Sequence, residues 1–142
     1  MSGAVAFSVV GRRVTVVGAA RSGIAAAELL VRRGARVTLS EARAVLDGEA
    51  QRRLDDAGVT LELGGHVTDT FTGADLVVLS PGVPPETPAV VAARAAGVPV
   101  IGEVELAFRW LQGRVIAITG TKGKSTTSTL TGRILRQAGF HV

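Results

Sequence analysis

Arg13-Val-Thr-Val-Val-Gly18-Ala-Ala-Arg-Ser-Gly23 is the stretch that decides the fold. Val14 to Val17 are mostly β-branched and end on a glycine, which suits a buried strand. From Ser22 the spacing changes. Ile24, Ala27, Leu30 and Val31 share one face of a helix predicted over Ser22–Arg33, and Gly34 stops it. Ala35–Ser40 is apolar again and reads as a second strand. Strand, glycine turn, helix and strand in such close succession form a βαβ unit, with a parallel strand pair and a crossover helix.

The same alternation continues along the chain. Glu49–Ala57 reads as a polar amphipathic helix closed by Gly58, and Val59–Leu63 as a short strand. Asp75–Leu79 is a strongly apolar strand running into Ser80-Pro-Gly-Val-Pro-Pro85, a loop. Thr87 is expected to cap a helix that starts at Pro88, runs to Ala96 and is closed by Gly97. Val98–Ile101 is a further strand and Glu103–Leu111 a further helix. The pattern predicts an α/β, Rossmann-like, doubly wound domain over residues 1–112, with a mostly parallel five-stranded sheet. Gln112-Gly113 reads as a hinge. Arg114–Thr119 is predicted to be a new strand, and Ser125–Ala138 a new helix with Leu130, Ile134 and Leu135 apolar. One strand and one helix cannot bury their own apolar faces. Residues 113–142 are therefore expected to open a second, incomplete domain, and the Gly120-Thr-Lys-Gly-Lys-Ser125 turn within it marks the first strand-helix unit of a P-loop ATPase.

Composition narrows the function. The 142 residues are 46% hydrophobic, which excludes a disordered chain. No apolar run approaches the ~18 residues that span a bilayer, so no membrane partner is expected. In the start MSGAVAFSVVGRR the charges follow the apolar stretch, unlike a signal peptide. With no Cys there is neither a disulfide framework nor a thiolate metal site, which fits a cytoplasmic protein. His66 and His141 are too few for a His-rich metal cluster. The net charge of +4 comes from scattered Arg, aromatics are 4% and Tyr is absent, so no nucleic-acid partner is expected. The two Lys, by contrast, both fall in one short segment, as Lys122 and Lys124.

Three segments carry chemistry. In Gly18–Gly23, backbone N–H groups and a helix N-terminus can hold an anion. Glu41, about 20 residues further on at the end of the second strand, suits a ribose hydroxyl. Ala20 stands where a dinucleotide fingerprint needs its middle Gly, which argues against NAD. A tight turn without a ligand accounts for this segment equally well. Gly120-Thr-Lys-Gly-Lys-Ser-Thr-Thr127 again joins a strand to a helix. Its G-x-x-G-K-S core suits a triphosphate: Lys124 reaches the phosphates and Ser125 can ligate Mg²⁺. The strict P-loop spacing fails, because Ile118 occupies the first Gly position. In the Ser80-Pro-Gly loop, Gly82 lets the backbone approach a ligand, and a plain structural turn is the alternative. Asp69, Asp75 and Glu103 show no pairing that sequence can establish. His66 reads as a loop residue rather than a catalyst, and Trp110 as interdomain packing.

Taken together, these segments resemble the Mur ligase family, in its D-glutamate-adding, MurD-like branch. The resemblance rests on Val17–Leu30 with Gly34, on Ala74–Val83 continuing through Pro88, Ala96–Val98 and Ile101–Leu106, and on Ala117–Thr126. It implies that the first domain binds the UDP end of UDP-N-acetylmuramoyl-L-alanine through Arg21, Ser22, Glu41, Arg43 and Gly82. It also implies that Gly120, Thr121, Lys122, Gly123, Lys124, Ser125 and Thr126 hold ATP phosphates. Lys124 then has the catalytic role and Ser125 contacts Mg²⁺. The family activates the substrate carboxylate as an acyl phosphate with ATP; the amine of D-glutamate then attacks, giving an amide, ADP and phosphate. Glu41 replaces the family's usual Asp, Ala42 an often hydroxylated residue, and Lys122 a frequent Asn. The family's remaining metal ligands and its D-glutamate-binding domain have no counterpart before Val142. The chain is therefore expected to be a monomeric N-terminal fragment, inactive alone. The competing readings are a stand-alone nucleotide-binding module, an NAD-type dinucleotide-binding domain, and a folylpolyglutamate-type ligase. Residues 1–112 argue against the last.

Overall fold

Five strands of the computed structural model pair in the order β3-β2-β1-β4-β5, every neighbour parallel. They are β1 (Arg13–Val17), β2 (Arg36–Glu41), β3 (Thr60–Leu63), β4 (Leu76–Leu79) and β5 (Val100–Gly102). The helices are α1 (Arg21–Arg32), α2 (Gly48–Asp56), α3 (Thr68–Thr72), α4 (Pro88–Ala95), α5 (Glu103–Phe108) and α6 (Lys124–Gln137). The structure describes residues 7–111 and 114–142. The expected hinge at Gln112-Gly113 and the first part of the amino-terminal stretch lie outside the described residues.

The chain divides into two compact units, Met1–Leu111 and Gln112–Val142. The first is the doubly wound α/β fold that the alternation predicts. Side chains alternate across the sheet with period two. Val14 and Val16 of β1, Val37 and Leu39 of β2, and Leu76 and Val78 of β4 belong to one core with Ile24, Ala27 and Leu30 of α1, Leu54 of α2 and Leu106 of α5. Val17 and Val77 belong to the other, with Phe71 of α3 and Ala89, Val90 and Ala93 of α4. A sheet covered on both faces explains why its strands read as continuous apolar runs.

Several elements depart from expectation. The five-residue helix α3 has no sequence counterpart: Thr68-Asp-Thr-Phe-Thr72 offers Phe71 as its one large apolar residue, too little to set a period. Arg114–Thr119 is not a strand among the described residues. A strand exists by pairing, and that run has no ladder partner there. Thr87 does not cap α4 through its side chain; its hydroxyl donates instead to the Pro84 carbonyl, 2.7 Å. Trp110 packs within the first unit: its indole N–H donates to the Phe7 carbonyl at 3.2 Å, and its ring lies against Phe7 and under Arg33. Asp75, whose partner the sequence leaves open, accepts from the Arg13 backbone N–H at 2.8 Å and faces its guanidinium at 3.5 Å.

Candidate functional site

The strand order reverses between β1 and β4, and open parallel sheets bind ligands beyond the carboxyl ends of their strands at such a point. A cleft of about 260 Å³ opens there, lined by Gly18, Glu41, Arg43, Ser80 and Gly82 among others. A larger cleft of about 590 Å³ lies at the opposite end of the strands, by Arg13, Arg36 and Thr60. Its position at the strands' amino ends makes it the poorer candidate despite its size.

The turn from β1 into α1 is built by close backbone packing. The Gly18 N–H donates to the Ser40 carbonyl at 2.9 Å, tying the turn to β2. Gly18 has φ +95°, in the left-handed region that glycine tolerates. Gly23 is needed for space: a Cβ there would lie 2.1 Å from the Gly18 carbonyl oxygen. No side chain caps α1 at Ala20 and no acidic residue sits in its first turn, so its amino end keeps its positive character.

Glu41 ends β2 and faces this turn. One carboxylate oxygen accepts from the Ala19 N–H at 2.7 Å and from the Arg43 guanidinium at 3.3 Å. The other accepts from the Arg43 N–H at 3.0 Å and its Nε at 3.1 Å. Burial pushes the Glu41 carboxyl upward, but these donors, led by the Arg43 side chain, outweigh it and hold the pKa at about 2. Glu41 thus fixes the turn and the Arg43 side chain, and both its oxygens are engaged. The guanidinium remains largely exposed to solvent.

The Ser80-Pro-Gly loop closes the other wall. Ser80 is buried and meets Glu103 of α5 at 2.5 Å and the Gly18 carbonyl at 3.3 Å. Glu103 therefore has a partner that its sequence position did not disclose. A Cβ on Gly82 would meet nothing within 4 Å, so open space lies beside the backbone. The structure thus brings Glu41, Arg43 and Gly82 to one cleft. Arg21 and Ser22 stand exposed in the first turn of α1, and Ser22 lines a separate groove with α5.

His66 also lines the cleft, although its sequence setting pointed only to a loop. Its Nδ1 is 2.8 Å from the Ser40 hydroxyl, and its ring meets the Phe71 ring edge-on. The Gly64-Gly65 pair before it was the available signal: Gly64 takes φ +84°, turning the chain back toward β2.

The second segment lies in the other unit. Gly123, at φ +80°, precedes α6, which begins at Lys124. The Lys124 ammonium folds back to the Gly120 carbonyl at 2.5 Å. Ser125 and Thr126 are exposed in the first helical turn, where neither an acidic residue nor a side-chain cap is present. A cationic residue at a helix amino end is unfavourable alone and becomes favourable when an anion binds. Thr121 and Lys122 are likewise exposed. No group of three or more acidic or His side chains that could hold a metal ion gathers among the described residues.

Residues 12–102 match the model of the Mur ligase MurD-like N-terminal domain. The chain is 50% identical over 136 residues to a UDP-N-acetylmuramoylalanine–D-glutamate ligase of Acidobacterium capsulatum, covering 93% of this chain and 29% of the relative. It is 58% identical over 128 residues to the protein of that name from Anaeromyxobacter dehalogenans, covering 88% and 27%. The chain thus spans less than a third of these relatives' length. Among solved structures, a UDP-N-acetylmuramate-alanine ligase from Thermotoga maritima is similar with TM-score 0.57 at 26% identity, over 88% of this chain and 29% of that one. A pseudomurein peptide ligase type C from Methanothermus fervidus shares the fold at TM-score 0.60 and 24% identity, covering 91% and 27%.

Proposed function

Because this chain belongs to the Mur ligase family, as a MurD-like N-terminal domain with adjoining sequence, we propose that its cleft binds the UDP end of UDP-N-acetylmuramoyl-L-alanine. On this reading residues 1–112 form the UDP-sugar domain, and residues 113–142 contribute the ATP loop of a longer, ADP-forming amide ligase that adds D-glutamate. The observation that carries it is the meeting of an unblocked helix amino end, an exposed guanidinium fixed by Glu41, and the open side of Gly82.

Each element has a physical task. The α1 amino end and the Arg43 guanidinium supply charge and hydrogen bonds to a diphosphate, Arg43 through Nη1, since its Nε and Nη2 face Glu41 and the Ala19 carbonyl. Arg21 and Ser22 lie exposed in that first turn, outside the lining of the cleft itself. Glu41 acts through the turn it holds rather than through the ribose, since both its oxygens are occupied by protein donors. Gly120–Thr126 surround ATP phosphates, with Lys124 bringing its ammonium to the transferring phosphoryl group. The exposed Ser125 hydroxyl fits a Mg²⁺ ion, which when bound supplies charge stabilisation to the phosphates. The reaction places the protein where nucleotide-activated sugars and ATP occur, in the cytoplasm, and it acts as a monomer. The NAD-type reading is weakened by the Ala20 methyl, at the amino end where a pyrophosphate would approach.

A thermal-shift titration with UDP-N-acetylmuramoyl-L-alanine, NADH and Mg·ATP tests the proposal. Stabilisation grows with ligand concentration over its dissociation constant. The UDP sugar is expected to raise Tm, and NADH is not. Stabilisation by NADH alone would overturn the substrate class.

A further inference from the structure

A chain of hydrogen bonds beneath the cleft fixes the chemistry of one ring nitrogen. Glu62, on β3, accepts from the Val67 N–H at 2.9 Å, from the Thr70 hydroxyl at 2.6 Å and from the Ser40 hydroxyl at 2.7 Å. Burial pushes the Glu62 carboxyl upward, but these three donors, with a smaller contribution from the neighbouring His66 ring, hold it below the usual range, so it is an ionised acceptor. Ser40 is fully buried and has one hydroxyl hydrogen. Glu62 can only accept and at 2.7 Å lies much nearer than the other acceptor, the Gly65 carbonyl at 3.4 Å, so it takes that hydrogen, and the Ser40 oxygen is left to accept from His66 at 2.8 Å. The proton of neutral His66 therefore sits on Nδ1, and Nε2 carries a lone pair. His66 is partly exposed and lines the same cleft as Arg43 and Gly82. The neighbouring carboxylate, Glu41, has its oxygens filled by Ala19 and Arg43. No protein donor occupies Nε2 among the hydrogen bonds of the described residues.

We propose that His66 is a specificity-determining residue of the cleft, its Nε2 accepting a hydrogen bond from the nucleoside of the ligand. This rests on the UDP-binding reading and adds the means of choosing the base. Uracil presents an imide N3–H, a donor; cytosine presents an unprotonated N3, an acceptor, at the same place. A fixed acceptor rewards the first and leaves a lone-pair clash with the second. Ribose hydroxyls are donors too, and binding through them gives no such choice. Ser40 and Glu62 are positioning residues, acting through the tautomer they impose.

The probes are UDP, CDP and 2′-deoxy-UDP, titrated into the whole 142-residue chain and followed by NMR. Long-range ¹H–¹⁵N correlation reports the His66 tautomer directly, with His141 as the internal reference. The free protein is expected to show Nδ1–H at His66, and UDP is expected to shift its Nε2 resonance. UDP should bind about tenfold more tightly than CDP, and His66→Ala should bring the two affinities together. Ser40→Ala, which touches no ligand, should release the tautomer and narrow the same ratio. A native-like spectrum for each variant separates these effects from unfolding. An Nε2–H tautomer in the free protein overturns the proposal. So does an unchanged UDP/CDP ratio in His66→Ala, while leaving UDP binding itself standing. Discrimination of UDP from 2′-deoxy-UDP but not from CDP assigns the contact to the ribose and overturns base selection. If the unmodified chain binds none of the three, the UDP-binding reading fails, and this inference with it.

Discussion

Glu41 gives the turn its shape and its acid sensitivity. Its carboxyl is held near 2 against an ordinary 4.5, so the ionised form is what the fold binds. A depressed folded pKa stabilises fully above the unfolded value and is lost as pH falls through the folded one. Stability should therefore decline between about pH 4.5 and 2. With the exposed Arg43 side screened by solvent, the amount is on the order of 2 kcal/mol. Glu41→Gln should flatten that part of the pH–stability curve, as followed by urea unfolding. An unchanged slope would remove the carboxylate from this role. Gly23 makes a second residue-scale case. Its replacement by Ala puts a methyl 2.1 Å from the Gly18 carbonyl, against backbone that cannot swing aside. Gly23→Ala should cost on the order of 3 kcal/mol. Gly82→Ala, with nothing within 4 Å, should leave Tm nearly unchanged and test only the ligand's need for space.

At the scale of elements, two helix starts that look alike in sequence behave differently. Asp47 accepts from the Glu49 and Ala50 N–H groups at 3.0 and 3.3 Å and caps α2. Thr87 makes no such bond to α4, whose start is set by Pro88. Asp47→Ala should cost about 1 kcal/mol and Thr87→Ala well under half of that by the same measure. Equal losses in chemical denaturation would show that side-chain capping does not govern these helix starts. The contrast marks what sequence can convey. Periodicity and glycine stops are local, and they located β1, α1, β2 and α4 to within a residue or two. Pairing is not local. Glu41 reaches Ala19, and His66 reaches Ser40, only because β3, β2 and β1 lie side by side. The same dependence on a neighbour explains Arg114–Thr119, whose composition suits a strand while no partner strand is present among the described residues.

For the molecule as a whole, the two units differ in what they bury. The first has apolar side chains packed on both faces of its sheet. In the second, α6 has no buried residue, and Leu130 and Ile134 are more than half exposed. Helix propensity alone makes 14 residues marginal in water, because most helical stability in proteins comes from packing an apolar face. Opening of α6 should therefore cost far less than opening of β1 or β4. Native-state hydrogen exchange should find α6 amides exchanging at least about 100-fold faster than those of β1 and β4. A ligand in the cleft should widen the gap, since it stabilises only the unit that binds it. UDP should slow exchange at Ala19 and along β1 and leave α6 unchanged. Protection of α6 within about tenfold of β1 would contradict this, and would mean that Gln112–Val142 finds burial beyond what this single chain displays.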